Sequence, residues 1–240
     1  MPDRDGSSSP RPQVWVNCAA SLDGRLAFAH GVRARLSGPE DLARVQRIRA
    51  TSDAILIGVG TVVKDDPSLR VHWDVLGEEP KRSPTRIIVD ASGRIPERAR
   101  VLDGSIPTLI ATCEQNRRAY PPTVTTVVCG RATVDLPRLF ALLRDRGFER
   151  MMVEGGSRIL ASVARAGLFD RWTIYYAPVI VGGITAPPIV EGVEAIGPQD
   201  LVHLRLEGLD RLGEGFVATY GPRSPARKNE GATGLDRSAR

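Results

Sequence analysis

Four short segments combine carboxylates, hydroxyls or basic groups with glycines at spacings suited to phosphate or nucleotide binding. In Gly58-Val59-Gly60-Thr61-Val62-Val63-Lys64-Asp65-Asp66-Pro67, small residues let backbone amides approach a phosphate or a ring, and Thr61 offers a hydroxyl. Asp65 and Asp66 end the segment with two carboxylates before a proline. The same letters also read as a glycine turn followed by an Asp-Pro helix stop. In Val153-Glu154-Gly155-Gly156-Ser157-Arg158, a carboxylate closes an apolar run, where burial is costly without a partner or a ligand. Two glycines then lead into a helix start, whose free N–H groups attract an anion; an ordinary strand–helix corner is the alternative. Alternation in Leu69-Arg70-Val71-His72 puts Arg70 and His72 on one face, suited to a phosphate or simply solvated. Ser21-Leu22-Asp23-Gly24-Arg25 is a polar turn, either a hairpin corner or a site loop. None of these is the GxGxxG fingerprint or a complete Walker loop.

The elements that must carry these groups are short. Apolar, β-branched runs predict buried strands at 14–20, 53–57, 86–89, 108–111, 123–129 and 151–154. Further strands are predicted at 172–177, 202–209 and 216–221. Ser37-Gly38-Pro39 followed by two acids predicts a helix start, with Leu42, Val45 and Ile48 on its apolar face. A second helix is expected after Asp135, its core stripe Leu139, Leu142 and Leu143, stopped by Gly147. A third follows Ser157, with Ile159, Leu160 and Val163 inward, and ends at Gly167. Strands alternating with helices, then a β-rich end, predict one α/β domain over 14–221 with a mostly parallel central sheet and antiparallel C-terminal strands. Residues 1–13 and 222–240 lack apolar periodicity and are expected to be disordered tails.

Composition narrows the class. The net charge is +5, but residues 222–240 carry five Lys/Arg against two Asp/Glu, which leaves a body of about +2. With no aromatic-interleaved basic stripe, nucleic acid is not the expected partner; a phosphorylated small molecule is. No apolar run approaches the roughly 18 residues of a membrane span. The polar N-terminus lacks a signal-peptide core, so a cytoplasmic protein is expected. Cys18, Cys113 and Cys129, like His30, His72 and His203, show no metal-ligand spacing, and no metal is predicted.

In chain order the sequence carries Ser21-Leu-Asp-Gly, Arg47-Ile-Arg49-Ala and Gly58-x-Gly-Thr-Val-x-x-Asp-Asp-Pro67. Leu69-x-Val-His72, Val153-Glu-Gly-Gly156 and Ala177-Pro-x-x-x-Gly-Gly183 follow. This set resembles the riboflavin-biosynthesis pyrimidine reductases over roughly residues 14–221. It looks closer to the stand-alone reductases of archaea and fungi than to the bifunctional bacterial enzymes. The deaminase signatures of the latter, His-x-Glu and Pro-Cys-x-x-Cys, do not occur here.

The resemblance implies a dihydrofolate-reductase-like three-layer fold, NADPH as cofactor, a homodimer, and an oxidoreductase of the EC 1.1.1 class. The implied reaction turns the ribosylamino side chain of a phosphoribosylamino-pyrimidine into the ribitylamino form. Alternatives are the deaminated substrate, 5-amino-6-(5-phosphoribosylamino)uracil, another pterin-type substrate on the same fold, or a non-catalytic nucleotide-binding protein. Carried over residue by residue, it implies cofactor contacts at Thr61 and Asp65, the pyrophosphate at Gly155, Gly156 and Ser157, and the adenosine end at Ser92 and Gly130. Arg49, Leu69, His72 and Glu154 match substrate-side positions, and Arg35 a polar contact near the nicotinamide or ribose. Asp65 or Glu154 would position or protonate the reacting atoms. Arg33 departs from the small polar or acidic residue of related enzymes. Arg94, Arg117, Arg118 and Arg131 are candidates to meet a 2′-phosphate.

Overall fold

The computed structural model describes residues 9–192 and 195–223. Nine strands form one sheet: β1 (Gln13–Ser21), β2 (Ala54–Gly58), β3 (Thr85–Val89), β4 (Thr108–Thr112), β5 (Thr125–Val128), β6 (Arg150–Gly155), β7 (Arg171–Ala177), β8 (Leu204–Leu212) and β9 (Gly215–Pro222). Their order is β5-β4-β3-β2-β6-β1-β7-β9-β8. All neighbours from β5 to β7 run parallel, while β9 pairs antiparallel with both β7 and β8. All nine expected strands are present, with ends shifted by a few residues.

The apolar runs explain the layering. Successive side chains point to opposite faces, so β2 sends Ala54 and Leu56 one way and Ile55 and Ile57 the other. Likewise β3 divides Ile87 from Ile88, and β6 divides Met151 and Val153 from Met152. A strand buried on both faces must be apolar at every position, which is why these runs do not alternate. One face is covered by α4 (Leu136–Asp145) and α5 (Ser157–Arg165) through Leu139, Phe140, Leu143, Leu160 and Val163. The other takes Ile48 of α1 (Pro39–Ala50) and Val59 and Val62 of α2 (Val59–Asp65). A single turn, α3 (Trp73–Leu76), also packs on α1. The result is the expected three layers. Among the described residues no helix is long and apolar enough to cross a membrane.

Three local expectations are corrected. The first helix starts at Pro39 as read, but Leu42 is exposed and the helix buries Asp41, Gln46 and Ile48 instead. Its inner face is polar because Arg44 bridges Asp41 to Asn17 of β1 (2.9 and 2.7 Å), and Thr173 of β7 joins the same network. Residues 69–72 keep the expected alternation of burial but form no strand, since Leu69 has a left-handed backbone at φ 54°. Order also reaches past the predicted domain limits. β1 begins at Gln13, β9 runs through Pro222, and Arg11 makes a two-pronged ion pair with Asp170 (2.6 and 3.0 Å). The remainder of the two predicted tails, 1–8 and 224–240, lies outside the described residues.

Candidate active site

Because β1 to β7 are parallel, their carboxyl ends share one edge of the sheet, the edge where open α/β sheets bind ligands. The predicted site residues are strung along it. At its centre, Ile57 of β2 pairs with Gly155 of β6, so α2 and α5 start side by side. Gly58 is required there: a Cβ would come within 2.6 Å of Ile159 Cγ1, pushing α5 off the corner. The Gly58-Val59-Gly60 segment, expected as an open turn, is the cap and first turn of α2. This directs Thr61 across to β6, where its hydroxyl accepts a hydrogen bond from the Gly156 N–H at 3.0 Å. Gly155 sits at φ 107° and the Gly155–Gly156 peptide is cis.

The corner suits an anion. The first N–H groups of a helix have no intrahelical acceptor, and a carboxylate of this chain already stands beside those of α5. Ser157 Oγ donates to Glu191 Oε2 at 2.8 Å, with Arg158 at 3.4 Å from the other oxygen. The Ser157 hydrogen bond, with help from Arg158 and Lys64, holds the Glu191 carboxyl below its ordinary value despite some burial. Residues that hold a carboxylate this way fit the pyrophosphate of a dinucleotide.

Glu154 precedes the corner. Both its oxygens are taken by Arg49, at 2.5 Å to Nε and 2.6 Å to Nη2, and Arg49 Nη1 also donates to the Arg70 carbonyl at 3.0 Å. The two side chains are only 15% and 13% exposed. Burial pulls the Arg49 pKa down, but the Glu154 charge and hydrogen bonds outweigh it and the value rises. The carboxylate that looked costly to bury therefore has its partner in the protein. Asp65, at the last turn of α2, is the opposite case. Burial pushes its carboxyl up, only partly opposed by Arg33 and Lys64. Arg33, the departure noted in the sequence, is thus a cation facing Asp65.

Towards the other strands, Asp90 at the end of β3 is fully buried and organises the next turn. It accepts from the N–H groups of Ser92, Arg94 and Ile95 (each 3.2 Å) and from the Tyr120 hydroxyl (2.9 Å). Ser92 itself is exposed and accepts from Arg94 Nε at 2.8 Å. Gly130, after β5, has φ 101°, and a Cβ there would collide with the Thr133 carbonyl. Of the four arginines considered for a 2′-phosphate, Arg118 is stacked on Tyr120 at 5.2 Å and donates to the Gly93 and Ile95 carbonyls. Arg117 and Arg131 are exposed.

On the far side, Arg35 lines a cleft of about 540 Å³ with Ser37, Glu40, Tyr175, Ala177 and Glu214. His72 is exposed and its N–H donates to Gln46 Oε1 at 2.9 Å. Leu69, a substrate-side position by the resemblance, is 2% exposed, with its side chain in the core that also holds Ile48 of α1 and Val62 of α2. Sequence reasoning missed Asp90 and Glu191, and left the Ser21–Arg25 turn unresolved. A strand-end aspartate before Ser-Gly was a legible turn signal, whereas nothing local connects Glu191 to Ser157.

Residues 12–218 match the family described as RibD C-terminal domain. The chain is 38% identical over 218 residues to a 2,5-diamino-6-ribosylamino-4(3H)-pyrimidinone 5′-phosphate reductase of Archaeoglobus fulgidus, covering 87% of this chain and 97% of that one. A protein of the same name from Methanothermobacter thermautotrophicus is 39% identical, with 88% and 98% covered. Among solved structures, a Thermotoga maritima diaminohydroxyphosphoribosylaminopyrimidine deaminase/5-amino-6-(5-phosphoribosylamino)uracil reductase superposes with a TM-score of 0.75 at 23% identity. That match covers 89% of this chain and 57% of that one, and shows the shared fold.

Proposed function

Residues 12–218 make this chain a member of the RibD C-terminal domain family, and from that membership we propose that it is an NADPH-dependent reductase of riboflavin biosynthesis. Its substrate is 2,5-diamino-6-ribosylamino-4(3H)-pyrimidinone 5′-phosphate, as the names of the two archaeal relatives indicate, and its product carries the ribitylamino side chain. The observation that carries this reading is the order of groups along the sheet edge. Gly130 follows β5, Ser92 follows β3, the Thr61–Gly156–Ser157 corner joins β2 to β6, and Arg35 lines a cleft with Ala177 at the end of β7. Strands are about 4.8 Å apart, so β5 to β6 spans roughly 19 Å, enough for an extended dinucleotide.

When bound, the cofactor supplies the hydride. This chain holds and orients. The α5 N-terminus and Ser157 would receive the pyrophosphate, with Gly155 and Gly156 keeping the approach open. The Arg49–Glu154 pair and the Arg35 cleft would place the ribosylamine. Asp65, whose carboxyl burial pushes above its ordinary value, is the better-suited group to pass a proton at its Oδ atoms.

We place the enzyme in the cytoplasm and read it as a homodimer. β8 is an edge strand with Leu204, Leu206 and Leu209 exposed, a surface that a second copy would cover. The deciding assay offers the aminated and the deaminated phosphoribosylamino-pyrimidines separately, each with NADPH and with NADH. Turnover is expected with the aminated compound and NADPH. Turnover of the deaminated compound alone would reassign the substrate, equal kcat/KM for the two cofactors would remove the 2′-phosphate preference, and no turnover of either compound would sink the reading.

A further inference from the structure

Ser21 and Ala177 end the neighbouring strands β1 and β7 and pair in register. The chain leaves both at the same edge, and the two departing segments are tied together. Leu22 N–H donates to the Val179 carbonyl at 2.8 Å. The Asp23 carboxylate receives two consecutive N–H groups, Val181 on Oδ1 at 3.0 Å and Gly182 on Oδ2 at 2.8 Å. Ser21 fixes that carboxylate by donating Oγ–H to Oδ1 at 2.6 Å while accepting from the Arg25 N–H at 2.9 Å. Arg25 Nη1 and Leu26 N–H then hold the Ala186 and Pro187 carbonyls, each at 2.9 Å.

Consecutive N–H groups turned to one side form a concavity that takes an anion. Here the anion is Asp23, and Gly182 at φ 66° permits the turn. The Ser21 hydrogen bond, then the Val181 N–H, hold the Asp23 carboxyl down at about 2, so the clamp is charged throughout the neutral range. The clamped segment continues into the cleft: Ala177, Pro178 and Val179, just before it in the chain, line the same cleft as Arg35. Little core depends on it, since Ile180 is 75% exposed and Val179 45%.

We propose that Asp23 is a positioning residue for the reductase reaction, anchoring residues 181–182 and with them the adjoining Ala177–Val179 wall of the Arg35 cleft, so that the pyrimidine meets a preformed surface. This rests on the functional reading above, with the cleft as part of the pyrimidine site. A preformed wall spares the substrate the cost of ordering the loop. Loss of Asp23 therefore acts on substrate binding and leaves the cofactor corner and the core alone.

The test measures Asp23→Ala and Asp23→Asn against the unaltered enzyme. Asp23→Ala should raise the KM for 2,5-diamino-6-ribosylamino-4(3H)-pyrimidinone 5′-phosphate on the order of tenfold, with a smaller fall in kcat. Its NADPH Kd should stay within about twofold of the parent and its Tm within a few degrees. Asp23→Asn keeps one accepting oxygen and should lie between parent and alanine. Amide exchange at Val181 and Gly182 should accelerate in the same order. Accelerated exchange with an unchanged KM would show a clamp that positions nothing, and unchanged exchange would show no clamp; either overturns the proposal. A parent enzyme that binds NADPH but turns over no pyrimidine overturns the functional reading first, and the proposal with it.

Discussion

Glu154 ends β6 with both carboxylate oxygens committed to the Arg49 guanidinium, and this alters what its substitution measures. Glu154→Gln leaves a mostly buried cation short of its counter-charge, a loss of about 3 kcal/mol. In a chain of this size that lowers Tm by roughly 6–12 °C. If the pair also meets the substrate, kcat/KM falls by about ten- to a hundredfold as well. Replacing both partners, as in Arg49→Met with Glu154→Met, separates the roles. Tm should recover while kcat/KM stays low, and recovery of both would leave the pair a purely structural tie between α1 and β6. Asp65 carries a prediction of opposite sign. Its folded-state pKa is raised from the ordinary 3.8, so the folded state binds the proton more tightly and stability falls as pH rises from 3.8 through the raised value. Asp65→Asn should accordingly melt above the parent at neutral pH, with the gain disappearing near pH 3, while kcat/KM drops. A variant that melts lower at neutral pH would contradict the burial argument.

The working unit at the scale of elements is the joint where α2 and α5 start. Thr61 on the first turn of α2 holds the Gly156 N–H, so a shift of either helix moves the other. The Glu191 carboxylate stands at the α5 start, bonded to Ser157, and its charge opposes that of an incoming pyrophosphate. Glu191→Gln keeps the side-chain shape and removes one negative charge at a helix N-terminus, an effect of about 0.3–1 kcal/mol. NADPH should bind about two- to fivefold more tightly to this variant in low salt, and titration calorimetry would show it. Weaker binding would mean that Glu191 supports the corner more than it competes there. Helix α1 illustrates a different economy of design: it spans β7 to β6 with Gly38 near Tyr175, Arg44 on Asn17 and Arg49 on Glu154. Its inner face is polar because its task is to place charges over strand ends.

For the whole molecule, the two sheet edges differ. β5 is short and exposes Val128, whereas β8 runs nine residues with Leu204, Leu206 and Leu209 in the open. A long, apolar edge invites pairing. Leu206→Glu combined with Leu209→Glu should convert the proposed dimer to a monomer in sedimentation analysis, with each chain still folded. A parent that already sediments as a monomer would refute the dimer.

The central strands β2, β3, β4 and β6 were legible because burial on both faces forces an unbroken apolar run, a property of a few adjacent residues. The glycines of the corner were legible too, since a strand–helix corner favours residues without a Cβ: Gly58 for the close approach of Ile159 and Gly155 for its φ of 107°. The alternation of Leu69 and Val71 against Arg70 and His72 was legible, but the left-handed backbone of Leu69 was not, because it depends on the core that encloses it. The alternatives left open for Glu154 and for the Ser21–Arg25 turn needed partners far along the chain. Arg49 lies 105 residues from Glu154, and the Val181 and Gly182 amides lie 158 and 159 from Asp23. Local sequence determines which groups reach the carboxyl edge of the sheet. Only the crossing of α1 and the return of the chain after β7 decide which charges meet there, because Coulomb and hydrogen-bond energies depend on distance in space and not along the chain.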